Sequence, residues 1–191
     1  MTAGNTLVTL VRRSNEIDPG HGARVGAMAA CLAAAGGYGI DLPILRYAGV
    51  LHDVGKLVLP PALRDLRFRL TPNERRLIEQ HPALGVGLIR ASGETVHPRV
   101  LEAVLLHHEW FDGSGYPLGL RGPLIPLSAR LVGIADVIDA LLSARAYKRA
   151  WSAPEVRAHL RRLSGRQFEP ALARLADGTF ERLLDARDNT R

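Results

Sequence analysis

The sequence predicts an all-α protein that folds as a single domain. Apolar residues recur at spacings of three and four, the period of an α-helix, along most of the chain. No segment shows the sustained alternation of apolar and polar residues that is typical of half-buried strands. Glycine and proline separate the helical segments, and no low-complexity linker divides the 191 residues. This length suits one domain with one sizeable core.

Local signals place the starts of five helices. Residues 71–74 (Thr-Pro-Asn-Glu) and 152–155 (Ser-Ala-Pro-Glu) both have the capping-box pattern. Asp41 can cap a helix that runs toward His52, and two prolines, Pro98 and Pro126, can open two further apolar helices. All five segments then continue with apolar residues at helical spacing.

Two other segments are assigned from composition. Residues 109–126 contain four glycines and three prolines, so they are predicted to form an ordered loop or tight turn rather than a helix. The apolar run at residues 7–11 is either the first helix of the domain or an apolar dimer edge, and the helix is favoured. Arg12 and Arg13 end this run, which is too short for a membrane span, so a cytoplasmic protein is expected.

Charge and cysteine content restrict the function. The net charge of +6 and the pI of about 10.2 suit an anionic partner. The arginines are spread along the chain without interleaved aromatic residues, which favours a nucleotide over a nucleic acid. The single cysteine excludes both an intrachain disulfide and a cysteine-based metal site.

Histidine and aspartate occur where a metal site would use them. His52 and Asp53 are adjacent at a predicted helix end, where a carboxylate can bridge two cations and an imidazole can bind one. Lys56, four residues after His52, is predicted to share its helical face and to reach a phosphate or a metal-associated water. Taken alone, however, a His-Asp pair is better explained as a capped helix end.

A second group follows an apolar helix. His107 and His108 are adjacent there, and histidines in a core are costly unless they are bound or hydrogen-bonded. Asp136 and Asp139 both stand on the apolar helix after Pro126, where a buried acid needs a cation or another partner. Asp139 either supports a ligand from behind or is exposed, and the supporting role is favoured.

These pieces together resemble the HD-GYP domains, a branch of the HD-domain metal phosphohydrolases. The matching segments occur in the family's order between about residues 20 and 170. They are His21-Gly-Ala-Arg-Val, Leu51-His-Asp-Val-Gly-Lys56, His81 with Gly85, His107-His-Glu109, Asp112-Gly-Ser-Gly-Tyr-Pro117, residues 126–136 and Ser143-Ala-Arg-Ala-Tyr-Lys148.

The resemblance implies a single HD-type helical bundle with a Gly-Tyr-Pro (GYP) loop. Residues 1–20 would form an N-terminal helix and lead-in, and residues 21–191 the HD-GYP domain. The first 20 residues are too few for a receiver domain, so no separate regulatory domain is expected.

The resemblance also implies a centre of two divalent metal ions, most often iron or manganese. Asp53 would bridge the two ions, and Lys56 would assist the attacking water or the scissile phosphate. The metal ligands would be His21, His52, Asp53, His81, His107, His108 and Asp136. The substrate contacts would be Arg145 and Lys148, which bind phosphates, with Tyr116, Gly115 and Asp112 of the loop. These contacts require the helix that carries Asp136 to end near Ser143 or Ala144.

The implied reaction is hydrolysis of cyclic di-GMP to pGpG, and then to GMP in a second round, by a hydroxide that the two metals activate. Two alternatives stay open. One is a hydrolase of another cyclic nucleotide, and the other is an inactive scaffold whose loop binds a diguanylate cyclase. A homodimer is a further expectation.

The chain departs from the family pattern at three positions. Ile17 stands where some members carry a glutamate ligand for a third metal, so two metals are predicted. The usual Arg-Pro-Tyr-Lys reads Arg-Ala-Tyr-Lys, because Ala146 replaces the proline and leaves both charges. Glu169 replaces an aspartate, a conservative change to which no loss of function is assigned.

Overall fold

The computed structural model describes residues 6–64, 70–144 and 149–190, and its regular secondary structure is helical. Those residues contain no β-strand, which confirms the predicted all-α class. Two 3-10 helices, Val54–Val58 and Gly122–Leu124, supplement the α-helices. The α-helices are α1 (Leu7–Ile17), α2 (His21–Ala35), α3 (Leu42–Leu51), α4 (Pro61–Arg64), α5 (Pro72–Ile78), α6 (His81–Ala91), α7 (Pro98–Leu106), α8 (Leu127–Leu142), α9 (Ala153–Arg162), α10 (Pro170–Gly178) and α11 (Phe180–Asp188).

The helix ends follow the local signals. Both capping boxes form, with Thr71 and Ser152 as the N-caps of α5 and α9. Helix α7 begins at Pro98 as predicted, and α8 begins one residue after Pro126. Helix α8 ends at Leu142 with Ser143 as its C-cap, which confirms the expected position of that end.

The core lies between α2, α3, α7 and α8, and aliphatic side chains dominate it. Met28, Leu45, Leu131 and Ile138 are all almost fully buried there. Helices α2 and α3 approach backbone to backbone, because a Cβ on Gly49 would overlap the backbone of Gly26. This close approach brings the start of α2 and the end of α3 to the same end of the bundle.

The N-terminal helix is part of this bundle. Leu7 and Leu10 of α1 are buried in the main core, which favours the first-helix interpretation of residues 7–11 over a dimer edge. The N–H of Leu7 also donates a 2.7 Å hydrogen bond to Glu94, which fixes the start of the helix. Within the described ranges, no helix is both long and apolar enough to cross a membrane.

Residues 109–126 form an ordered loop, as predicted. The buried carboxylate of Glu109 organises it, because its two oxygens accept hydrogen bonds of 2.6 and 2.9 Å from the N–H groups of Leu118 and Leu120. The N–H of Tyr116 donates to the carbonyl of His108, which ties the loop to the end of α7. The peptide bond between Tyr116 and Pro117 is cis.

Candidate metal centre

Helix ends carry most of the candidate ligands. His21 and His81 are the first residues of α2 and α6, whereas His52 and His107 directly follow the last residues of α3 and α7. Asp136 projects from the middle of α8. The structure brings all seven predicted ligands into one site: His21, His52, Asp53, His81, His107, His108 and Asp136.

Asp53 lies at the centre of this site. Its Oδ1 is 3.3 Å from Nε2 of His81 and 3.9 Å from Nε2 of His107. Its Oδ2 is 3.5 Å from Nε2 of His52 and 3.8 Å from Nε2 of His21. Each carboxylate oxygen therefore faces a different pair of imidazoles, and the bridging role of Asp53 stays a prediction.

The ligands form two groups that share Asp53. Within each group, the ligand atoms lie within 4.8 Å of one another. The first group consists of Asp53, His81, His107 and His108, and the second of His21, His52 and Asp53. Asp136 adds to the second group, because its Oδ1 lies 3.1 Å from Nε2 of His21 and 3.7 Å from that of His52. The arrangement offers donors for two cations.

Backbone carbonyls orient three of the imidazoles. Nδ1 of His52 donates to the carbonyl of Gly49 at 2.6 Å, and Nδ1 of His81 donates to that of Ile78 at 2.7 Å. Nδ1 of His107 lies 3.0 Å from the carbonyl of Val104. Because a carbonyl can only accept, these Nδ1 atoms are the donors, and the Nε2 atoms are left to face the centre, where a metal ligand needs them.

The inward-facing atoms fit a bound cation. Nε2 of His81 and Nε2 of His107 face each other at 3.4 Å, and two lone pairs at that distance repel unless a positive charge lies beside them. Nε2 of His52 and Oδ1 of Asp53 are fully buried and have no hydrogen-bond partner among the described residues. Leaving such groups unpaired is costly, and metal coordination satisfies both.

The pKa values of the histidines divide by environment. Burial lowers the pKa of His107 and that of His108, the latter to about 3, so both rings are neutral and able to ligate. Burial also opposes protonation of His21, but hydrogen bonds to Asp136 and Asp139 outweigh it and raise its pKa to about 10. A proton and a cation therefore compete for Nε2 of His21.

Lys56 reaches the centre by a different route from the one predicted. Helix α3 ends at Leu51, and a 3-10 helix begins at Val54, so Lys56 does not share an α-helical face with His52. Instead, its Nζ donates to Oδ2 of Asp53, three residues earlier. Burial alone would raise the pKa of Asp53, but the charge of Lys56 opposes this and the net shift is strongly downward.

Asp139 supports a ligand from behind, in line with the favoured expectation. It is fully buried, and its Oδ2 lies 2.7 Å from Nδ1 of His21. Two arginines that the sequence did not point to, Arg24 and Arg187, also donate to this carboxylate. Sequence analysis missed both, although the first stands within the quoted segment that begins at His21.

The predicted substrate contacts fall into different places. The ring of Tyr116 stacks on His108, with 4.7 Å between the ring centroids, so this residue borders the centre. Asp112 accepts hydrogen bonds from the N–H and hydroxyl of Ser114, and Gly115 packs against the backbone of Trp110. The N–H of Asp112 also donates to the carbonyl of Arg166 at 2.9 Å, and a Cβ on Gly115 would meet the carbonyl oxygen of His108. Arg145, Ala146 and Lys148 lie outside the described residues.

A helical bundle with a histidine and aspartate centre of this kind defines a class of metal-dependent phosphohydrolases. The HD domain profile matches residues 7–172, so the chain belongs to the HD domain family. The predicted resemblance to the HD-GYP branch is also confirmed by its relatives.

Two curated relatives and one solved structure illustrate the likeness. The cyclic di-GMP phosphodiesterase response regulator RpfG of Xanthomonas campestris is 42% identical over 130 residues, which are 68% of this chain and 34% of that protein. The 3'3'-cGAMP-specific phosphodiesterase 2 of Vibrio cholerae is 37% identical over 135 residues, or 71% and 26% of the two chains. Bd1817, an HDG"Y"P protein of Bdellovibrio bacteriovorus, has the same fold, with a TM-score of 0.63, 21% identity and coverage of 84% and 51%.

The chain spans only part of these proteins. The matched part of the chain covers 34% of RpfG and 26% of the cGAMP-specific phosphodiesterase. It covers 51% of the solved structure. The matches therefore establish the family and the fold of this chain.

Proposed function

We propose that this chain is a metal-dependent phosphodiesterase that hydrolyses cyclic di-GMP to pGpG, with GMP as the product of a second round. The observation that carries the proposal is the position of Asp53, whose two oxygens each face a separate pair of histidine Nε2 atoms. A carboxylate placed in this way fits a bridge between two cations.

Two divalent ions, iron or manganese, are the proposed cofactors. His81, His107 and His108 would hold one ion, while His21, His52 and Asp136 would hold the other. Nitrogen and carboxylate donors without thiolate suit either metal. When bound, such ions lower the pKa of water and offset negative charge on a phosphate.

The side chains around the centre have separate proposed roles. Nζ of Lys56 donates to Asp53, and the Lys56 side chain is 32% exposed, so the ammonium can also donate to an oxygen of the scissile phosphate. Tyr116 presents a ring beside His108, on which a guanine base can stack. Arg145 and Lys148 are proposed to bind the substrate phosphates, because arginine forms two parallel hydrogen bonds with such groups.

The reaction consumes one water molecule for each bond broken. The water oxygen bonds to phosphorus in line with the leaving 3′ oxygen, and the P–O3′ bond breaks. The departing oxygen takes up a proton and becomes the 3′ hydroxyl, while the phosphate stays on the 5′ carbon. Opening one of the two diester bonds of cyclic di-GMP in this way produces linear pGpG.

The curated relatives support a cyclic dinucleotide substrate. Several are named for cyclic di-GMP and others for 3'3'-cGAMP. 3'3'-cGAMP is therefore the alternative substrate to cyclic di-GMP. Both molecules share the phosphodiester ring and differ at one base. An inactive scaffold that binds a diguanylate cyclase would not need seven converging ligands. A cytoplasmic location and a homodimer remain predictions from the sequence.

The deciding experiment pairs a metal count with a substrate assay. The chain is purified without oxygen and loaded with Fe²⁺ or Mn²⁺, its metal content is measured, and the same sample is incubated separately with cyclic di-GMP and 3'3'-cGAMP. We expect about two ions per chain and faster release of pGpG from cyclic di-GMP.

The matched variant is Asp53→Ala, which should lose both metal and cleavage while keeping its helical circular dichroism spectrum. Preference for 3'3'-cGAMP would support the alternative substrate. A metal-loaded chain that cleaves neither compound would contradict the proposed activity.

A further inference from the structure

The carboxylate of Asp139 is held by three side chains from two other helices. Its Oδ2 accepts from Nδ1 of His21 at 2.7 Å and from Nη2 of Arg24 at 3.0 Å. Its Oδ1 accepts from Nε of Arg24 and from Nε of Arg187, both at 2.7 Å. Both oxygens are thus used, which leaves the carboxylate little freedom to rotate away from His21.

Arg187 comes from a part of the chain beyond the family match. It stands on α11, whereas the HD domain profile ends at residue 172. Helix α11 is nevertheless anchored in the bundle, because Phe180 and Leu183 are buried in the main core. The carbonyl of Arg182 also lies 3.6 Å from Sγ of Cys31 on α2.

The guanidinium of Arg187 joins two points of α8. While Nε donates to Asp139, Nη2 donates to the hydroxyl of Ser143 at 3.0 Å. Ser143 is the C-cap residue of α8. The planar fork of arginine suits this double contact, which lysine cannot reproduce with a single ammonium group.

We propose that Arg187 is a positioning residue that sets the metal affinity of the His21 side of the centre by fixing Asp139. This inference rests on the metal centre proposed above. A carboxylate that accepts the Nδ1 proton of a ligand histidine fixes the ring and raises its basicity at Nε2. Loss of the Arg187 contact removes one of the two guanidinium donors to Oδ1 and leaves Arg24 to hold the carboxylate, so His21 becomes a poorer and less ordered ligand.

The test compares two arginines of the same helix. Arg187→Met removes the contact to Asp139, and Arg182→Met is the matched control because Arg182 is exposed on α11. Electron paramagnetic resonance of free Mn²⁺ measures the affinity of each purified chain, and the spectrum of bound Mn²⁺ reports on coordination. Thermal unfolding of the metal-free proteins measures the structural role of each arginine separately.

We expect Arg187→Met to weaken one of the two Mn²⁺ sites about tenfold and to change the spectrum of bound Mn²⁺, while Arg182→Met matches the wild type. If Arg187→Met does not fold, Arg187→Lys decides the question, with an expected weakening of the same Mn²⁺ site, because one ammonium cannot hold both Asp139 and Ser143.

The outcomes separate the two proposals. If the wild type binds Mn²⁺ and the Arg187 variants bind it with equal affinity and an unchanged spectrum, the role of Arg187 is overturned but the metal centre is not. This holds even if the melting temperatures of the variants fall. Wild-type chain that binds no Mn²⁺ would overturn the metal centre and this inference together.

Discussion

A Cβ atom on Gly55 would overlap the carbonyl oxygen of His81, so the 3-10 helix after Asp53 rests directly on the first turn of α6. The same contact sets the spacing between the Asp53 carboxylate and His81. Backbone closeness at this point is therefore a condition for the centre as well as for the fold.

Gly55→Ala should damage both stability and metal binding. The overlap is with backbone, which cannot move aside like a flexible side chain, and overpacking of this kind costs about 1–3 kcal/mol. Urea unfolding and Mn²⁺ titration measure the two effects. Gly87→Ala is the control, because a Cβ there meets no atom within 4 Å and alanine is the better helix former. Equal stability of the two variants would contradict this account of Gly55.

Lys56→Met should separate catalysis from metal binding. Loss of the ammonium removes a donor for the scissile phosphate, and we expect kcat to fall about a hundredfold. Metal content should remain at the wild-type level, since the positive charge beside Asp53 opposes cation binding. Steady-state assays with metal-saturated protein measure the first effect and elemental analysis the second. An unchanged kcat would show that Lys56 only neutralises Asp53.

Binding of metal should release a proton from His21 near pH 8. Its pKa is raised to about 10 in the metal-free protein, so a cation must displace this proton. At pH values below 10, the apparent affinity for metal should therefore increase by up to about tenfold for each unit by which the pH is raised. The raised pKa of His21 also stabilises the metal-free fold. This stabilisation is fully present below pH 6.5, the ordinary pKa of histidine, and is lost as the pH rises through 10.

Calorimetry of Mn²⁺ binding in buffers with different ionisation enthalpies counts the released protons. His97→Gln is the control, since His97 caps α7 through its hydrogen bond to Arg99 N–H and is not one of the seven ligands. A titration at pH 8 without proton release from the wild type would refute the competition at His21.

Metal should raise the melting temperature of the wild type but not of Asp53→Ala. Free Mn²⁺ at 100 times its Kd stabilises the native state by about 2.7 kcal/mol for one site. For a chain of this size, that corresponds to roughly 5–11 °C. Differential scanning calorimetry with and without Mn²⁺, followed by addition of a chelator, provides the measurement. An equal rise in both proteins would mean that the ion binds elsewhere.

Features that depend on neighbours in sequence were predicted well. The capping boxes at Thr71 and Ser152 follow the local pattern, because each involves contacts within about four residues. The end of α8 was expected from the substrate contacts that the family resemblance implies, and the helix ends there, at Leu142. The route from His52 to Lys56 was not predicted, since the pattern does not mark the change from α-helix to 3-10 helix after Leu51.

The sequence by itself determined the helical class and the donor chemistry of the centre: five histidines and two aspartates in the order of one family. Only the tertiary structure decided that Nδ1 of His21 meets Asp139, and that Arg24 and Arg187 hold Asp139 behind His21. The physical reason is range. Those arginines lie 115 and 48 residues from Asp139, and their hydrogen bonds depend on how α2, α8 and α11 pack rather than on helical period or caps.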